Sequence, residues 1–97
     1  RTLERQKAHA AVRAADRVMA ELRVESFTDA SPIPTDAVAA RLGEAMPEGW
    51  SVNLLGEPAF NAAGWCEGGR LVVTSDRGRR WGFALEPGPC RPTRQPV

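Results

Sequence analysis

The sequence is poor in the residues and patterns by which enzymes, metal proteins and membrane-spanning proteins are usually recognised. Its 97 residues include one histidine, His9, and two cysteines, Cys66 and Cys90. No apolar run reaches the roughly 18 residues that a membrane-spanning helix needs. The Gly-x-Ser-x-Gly elbow of serine hydrolases is absent, and no Gly-rich loop precedes a predicted helix. We therefore expect no catalytic residue, no metal site and no cofactor.

Charge is nearly balanced along the chain. The 13 basic and 12 acidic residues give a formal net charge of +1 at pH 7, so no global field attracts nucleic acid or anionic lipid. A hydrophobic content of 42% and a charged content of 26% are typical of a folded globular protein. The length suits one domain. We expect a single α+β domain over residues 1–90 and an extended C-terminal tail over 91–97.

The two cysteines lie at the edges of a run of predicted strands, and we predict a disulfide between Cys66 and Cys90. Closing this loop should stabilise the fold by about 3 kcal/mol. Because disulfides persist only in oxidising compartments, the pair predicts an extracytoplasmic protein. The alternative is a pair of reduced thiols in a cytosolic protein. His9 and the cysteines lack the paired spacing of a zinc site, and a catalytic Cys–His pair is disfavoured. We expect His9 to be a surface residue of the first helix.

An apolar stripe at helical spacing predicts a helix over residues 2–23. The opposite face is charged, so we expect the stripe to pack against the core. Thr2 and Arg5 do not form a capping box, and nothing in the sequence stops the helix at its N-terminal end. The stripe consists of Ala8, Ala11, Val12, Ala15, Val18, Met19 and Leu22.

A second helix is predicted from Asp36 to Met46, with Thr35 as its N-cap and Pro47 ending it. From Trp50 onward the apolar period changes to two, which predicts an antiparallel meander of three or four strands. The first helix would pack across one face of this sheet. The predicted strands are 50–54, 62–66, 70–75 and 81–85, the turns are 67–69 and 76–78, and the central core aromatics are Trp50, Trp81 and Phe83.

Basic residues cluster at the predicted hairpin. Arg77, Arg79 and Arg80, with Arg70 expected nearby across the hairpin, could bind an anion, a nucleic acid or an acidic protein partner. The interpretation that we favour is a solvated hairpin whose charges protect an edge strand from aggregation.

Three features together define a layout: the Ala-rich stripe over 8–22, the strand patterns at 71–73 and 81–85, and the pair Cys66 and Cys90. This layout resembles the soluble part of type IV pilin-like proteins, including minor pilins and Tad-type pilus-assembly proteins. The resemblance implies a membrane anchor or signal upstream of Arg1, a helix that packs against neighbouring helices, and an outward-facing head.

The resemblance thus predicts a non-enzymatic, extracytoplasmic structural or assembly subunit of a pilus or secretion apparatus. Such a subunit acts by protein–protein contacts, with self-assembly through the first helix and with segments 76–80 and 87–92 presented to partners. The first alternative is a sensing or ligand-binding ectodomain of a single-pass membrane protein. Others are a small secreted enzyme or inhibitor with a site near loop 56–61, and a cytosolic nucleic-acid module that uses the arginine-rich hairpin.

Overall fold

A computed structural model describes residues 2–94 of the chain. Two helices are followed by a four-stranded antiparallel sheet whose strand order equals the chain order. The predicted α+β fold is therefore confirmed, with its long first helix, short second helix and simple meander. The elements are α1 (Thr2–Asp29), α2 (Thr35–Ala45), β1 (Ser51–Leu55), β2 (Gly69–Thr74), β3 (Arg80–Leu85) and β4 (Pro92–Arg94).

The predicted apolar stripe of α1 is the face of the helix that packs on the core. Val12 is partly buried and packs against the core, and the other stripe residues are buried. The first half of the stripe consists mainly of small alanine side chains. The buried residues of the stripe are Ala8, Ala11, Ala15, Val18, Met19 and Leu22.

The helix ends at Asp29 rather than near residue 23, because the stripe continues through buried Ser26. Its last turn closes with a Schellman motif. The Ser31 N–H donates to the Ser26 carbonyl at 3.0 Å, and the Ala30 N–H donates to the Phe27 carbonyl at 3.3 Å. Ala30 takes a left-handed φ of 51°, a conformation that usually selects glycine at this position. Because residue 30 is alanine and not glycine, the sequence did not predict that the helix ends here.

The second helix begins at Thr35, one residue earlier than predicted. Pro34 is the N-cap, and its carbonyl accepts hydrogen bonds from the N–H groups of Ala37 and Val38, both at 3.0 Å. The prediction of Thr35 as N-cap is wrong, because Thr35 is already inside the helix and no side chain caps it. Met46 is the C-cap, directly before Pro47, the residue that was predicted to end the helix.

The sheet places three predicted strands within one residue of their expected ends. Phe83 lies opposite Leu71, and Trp81 lies opposite Val73, so these side chains share the face that packs on α1. The predicted turn at 76–78 joins β2 to β3. Its Gly78 has a φ of 87°, which a side chain would strain.

The predicted strand over 62–66 is wrong. The Asn61 side-chain oxygen accepts hydrogen bonds from the N–H groups of Ala63 at 2.9 Å and Trp65 at 3.0 Å. An Asx-type turn thus competes successfully with the extended conformation. Only Cys66 keeps strand-like pairing, through isolated bridges to Phe60 and Gly88.

The fourth strand comes from the segment that was expected to be a C-terminal tail. Pro92–Arg94 forms β4 and pairs with β3, with Arg94 opposite Phe83 and Pro92 opposite Leu85. The ordered sheet therefore extends beyond the expected boundary at residue 90. The remainder of the expected tail, 95–97, lies outside the described residues.

The predicted disulfide is present. Cys66 and Cys90 are bonded, with their Cα atoms 5.9 Å apart, and both side chains are fully buried. The bond is compatible with an extracellular location. Within the described part of the chain, neither helix combines the length and the apolarity that crossing a bilayer requires.

The predicted aromatic centre of the core is also formed. The rings of Trp50 and Trp81 stack with their centroids 5.4 Å apart and an interplanar angle of 8°. Trp50 and Phe83 are buried, whereas Trp81 is only partly buried. Trp81 therefore lies at the border between the core and the surface, where the candidate site begins.

Candidate functional site

A cleft with a volume of about 750 Å³ opens between the N-terminal half of α1 and the strands β3 and β4. Its walls carry basic side chains, and apolar side chains lie between them. We call it the cationic cleft. Its basic residues are Arg5, His9, Arg13, Arg79 and Arg94, and its apolar residues are Ala8, Val12, Trp81 and Phe83.

The helical wall follows from a regular spacing in α1. Arg5, His9 and Arg13 are each four residues apart, so they lie on one face of the helix in steps of about 6 Å. All three are exposed. Ala8 and Val12 lie on the adjoining strip of the same helix. Because Ala8 fills little space, room remains between this wall and the sheet.

The strand wall follows from the alternation of β3 and its pairing with β4. Trp81 and Phe83 are two residues apart on β3 and therefore face the same side of the sheet. Arg94 lies opposite Phe83 in the register, which places its side chain on that side too. Arg79 precedes β3 and completes the wall.

Arg79 is held in place by a hydrogen-bond cluster at the turn between β2 and β3. Ser75 is buried, and its Oγ donates to Glu4 Oε2 at 2.9 Å. The same Oγ accepts from the N–H groups of Arg77 at 3.2 Å and Arg79 at 3.1 Å. Glu4 Oε1 lies 3.8 Å from Arg79 Nη1. The start of α1 and the turn are thereby fixed to one another.

The Trp81 ring has two close partners. Trp50 stacks on the core side, and the Arg79 guanidinium carbon lies over the ring, 5.4 Å from its centroid. The cation over the indole is a favourable electrostatic contact. The Trp81 ring therefore supports the Arg79 guanidinium and is not a free aromatic surface.

The positive charge of the cleft is not balanced by acidic residues in its lining. Among the described residues that line the cavity, none is Asp or Glu. Within residues 2–94, Arg5, Arg13 and Arg94 form no ion pair. Only Arg79 is paired, with Glu4. The arrangement can therefore hold an anion with more than one negative charge.

The nearest further acid is engaged outside the cleft. Arg91 donates two hydrogen bonds to the Asp16 carboxylate, from Nε and Nη2, both at 2.7 Å. These bonds lower the pKa of Asp16, and the charge of Arg91 adds to the effect. The pair joins α1 to the segment before β4 and leaves the basic residues of the cleft uncompensated.

The structure does not bring the four predicted arginines together. Arg79 lines the cleft, but Arg80 lies on the opposite face of β3. Arg70 pairs with Ala84, four residues from Arg80 along the strand. Arg77 is exposed in the turn. The arginines that were considered as a possible anion-binding cluster are therefore divided between two faces of the sheet.

The remaining basic residues of the cleft were missed by sequence reasoning, which interpreted His9 as a surface residue of the first helix. One signal for the helical wall was available: basic side chains at positions 5, 9 and 13 repeat with the period of a helix face. The sequence alone could not predict that Arg94 lines the same cleft, because its position depends on the pairing of β4 with β3. His9 is exposed, as expected, but it also lines the cleft.

Within residues 2–94, no three His, Cys, Asp or Glu side chains are grouped as ligands of one metal ion would be. The chain matches no protein-family model, no curated protein and no solved structure. The pilin-like resemblance stays a prediction. The cationic cleft is the feature of the structure that bears on function.

Proposed function

We propose that this chain is a non-enzymatic binding domain of an oxidising, extracytoplasmic compartment, and that it recognises an anionic group of its partner in the cationic cleft. The observation that carries the proposal is the juxtaposition of Arg5, Arg13 and Arg94 around one cavity whose described lining includes no acidic residue. The buried disulfide supports the compartment.

The energetics favour an anion with several charges. At about 4 Å, two opposite charges attract by about 1 kcal/mol in bulk water and by about 4 kcal/mol at the effective dielectric of a protein surface. A partly enclosed cleft lies between these limits. Arginine adds directional, bidentate hydrogen bonds to carboxylates and phosphates. Several modest contacts then sum to useful, salt-sensitive binding.

The lining itself supports binding without catalysis. Among the lining residues, His9 has no carboxylate, hydroxyl or thiol beside it that could act as its partner. The two cysteines are joined to each other and buried. A catalytic nucleophile would need a positioned base, and the described lining residues include no Ser, Thr, Cys, Lys, Asp or Glu side chain that could be such a nucleophile.

The predictions of a pilin-like subunit and of a sensing ectodomain are both compatible with this proposal. A pilin-like assembly subunit, anchored upstream of Arg1, would hold an acidic surface of a neighbouring subunit in the cleft, and a sensing ectodomain would hold its ligand there. The predicted self-assembly through the first helix stays a prediction. Among the described residues of α1, the large apolar side chains that are exposed and that it could use are Leu3, Val24 and Phe27.

The test is a titration of the ¹⁵N-labelled protein with inorganic tripolyphosphate, followed by NMR. We expect chemical shift changes in α1 around Arg5 to Arg13 and in β3 and β4. The double variant Arg5→Gln/Arg13→Gln should bind on the order of tenfold more weakly, because it removes two charge-assisted contacts.

The matched control is Arg70→Gln/Arg77→Gln, which makes the same change in net charge at exposed positions outside the cleft. We expect the control to bind within about twofold of the parent chain, since its charges act only through solvent. Equal weakening of both variants would mean that net charge, and not the cleft, attracts the anion.

A further inference from the structure

The two basic walls of the cleft run side by side. Glu4 contacts Arg79 at one end of the cleft, and Asp16 contacts Arg91 beyond the other. Between these two contacts, α1 follows the strands over about 18 Å. The cleft is therefore elongated, with basic residues on both sides of an apolar floor.

The lengths of the two walls agree. Arg5, His9 and Arg13 span about 12 Å along the helix, in two steps of about 6 Å. On the other wall, Arg94 is level with Phe83, which is four residues and about 13 Å along the chain from Arg79. A ligand that contacts both walls along their length must be extended.

An extended peptide has the matching repeat. Side chains two residues apart in a strand point to the same side and lie about 6.6 Å apart. Carboxylates at alternate positions would therefore lie opposite Arg5, His9 and Arg13 in turn. Each arginine could then form a bidentate contact with its carboxylate.

The floor of the cleft is unsuited to nucleic acid. Proteins that bind single strands use aromatic rings on which bases stack. Trp81 already stacks on Trp50 and has the Arg79 guanidinium over its ring, and Phe83 is only 6% exposed. A base that stacked on the Trp81 ring would have to compete with Arg79, which also contacts Glu4.

We propose that the cationic cleft binds an extended acidic segment of a partner protein, with Asp or Glu at alternate positions over about five residues. This inference rests on the proposed function of the cleft and specifies its ligand. The partner segment lies between α1 and the β3–β4 wall, with one row of carboxylates on Arg5, His9 and Arg13. Arg79 and Arg94 contact the opposite side of the segment.

The test compares two short, capped, fluorescein-labelled peptides of equal composition by fluorescence anisotropy. One has three glutamates at alternate positions separated by serine, and the other has the three glutamates in succession. We expect the alternating peptide to bind on the order of threefold more tightly, because more of its carboxylates face one wall. Arg5→Gln/Arg13→Gln should remove this preference, and Arg70→Gln/Arg77→Gln should retain it.

The outcomes separate this inference from the proposed function. If tripolyphosphate binds in the cleft but the two peptides bind equally, the extended-segment inference is wrong and the anion-binding function stands. If neither tripolyphosphate nor either peptide is sensitive to the cleft variant, both are wrong. If an oligothymidylate of equal charge binds more tightly than the alternating peptide and is weakened by the cleft variant, the partner is a nucleic acid.

Discussion

Ser75 Oγ donates a hydrogen bond to Glu4 Oε2 at 2.9 Å, and this contact joins residues 71 positions apart in the sequence. It attaches the start of α1 to the turn that carries Arg79. The geometry of one end of the cationic cleft thus depends on a small, buried hydroxyl. The contact also explains why the first turns of the long helix stay against the sheet.

Replacing Ser75 should therefore destabilise the protein. Ser75→Ala leaves Glu4 and the N–H groups of Arg77 and Arg79 without their shared partner, and we expect a loss of about 1–3 kcal/mol in the free energy of unfolding. Urea denaturation measures it. Ser51→Ala, at an exposed strand position, is the control and should change little. An unchanged denaturation midpoint for Ser75→Ala would show that the cluster contributes nothing.

Glycine at position 30 should stabilise the fold. Ala30 has a φ of 51°, and the left-handed conformation costs an ordinary residue roughly 1 kcal/mol relative to glycine. Part of that gain is offset because glycine is more flexible in the unfolded chain. We expect Ala30→Gly to raise the free energy of unfolding by up to about 1 kcal/mol in thermal or urea denaturation.

The matched control for this prediction is Ala20→Gly, at an exposed position inside the same helix. There the same substitution should destabilise by about 1 kcal/mol. Opposite signs for the two variants would identify the helix-end conformation as the cause. A loss of stability at position 30 would contradict the left-handed helix end.

Protonation of Asp16 should contribute to a fall in the free energy of unfolding at low pH. The hydrogen bonds from Arg91 lower the pKa of Asp16 below its ordinary value, so the folded state favours the ionised carboxylate. The corresponding stabilisation is fully present above the pKa of the unfolded chain. It is lost as the pH falls through the lower pKa of the folded state.

We therefore expect Asp16→Asn to be less stable than the parent at neutral pH and to approach it as the pH falls from about 5 toward 2. Urea midpoints measured across this range give the comparison. Glu67→Gln, at an exposed position outside the helices and strands, should give urea midpoints that run parallel to those of the parent throughout. A constant difference between Asp16→Asn and the parent at every pH would show that the substitution acts by packing and not by charge.

Reduction of the disulfide should lower stability substantially. The bond closes a sequence separation of 24 residues, for which chain entropy predicts a contribution of about 3 kcal/mol. For a domain of this size we expect a fall in Tm of more than about 10 °C. Mass spectrometry after alkylation, with and without prior reduction, establishes the bond. Alkylation of both thiols in unreduced protein would contradict it.

The predictable parts of the fold are those in which apolar residues repeat at a regular spacing within one helix or strand. The stripe from Ala8 to Leu22 and the alternation through Trp81 and Phe83 each repeat within one element, so the sequence displays them directly. The disulfide was predictable because the chain has only two cysteines. The start of the second helix was missed because Pro34 caps it through a backbone carbonyl.

The parts that were not predictable depend on contacts between distant segments. Arg94 joins the cleft only because Pro92–Arg94 pairs with β3, and a three-residue strand containing proline carries almost no sequence signal. The four hairpin arginines looked like one cluster because they are close in sequence. Strand alternation instead sends Arg79 and Arg80 to different faces.

The Trp50–Trp81 stack gives the protein an intrinsic optical reporter. Arg79 lies directly over one of these indoles, so an anion that enters the cleft and draws the guanidinium aside alters the charge above the chromophore. The third tryptophan, Trp65, lies over Gly88, away from the cleft lining, and supplies a constant background. Unlabelled protein can thus be followed by its own fluorescence emission while the cleft fills.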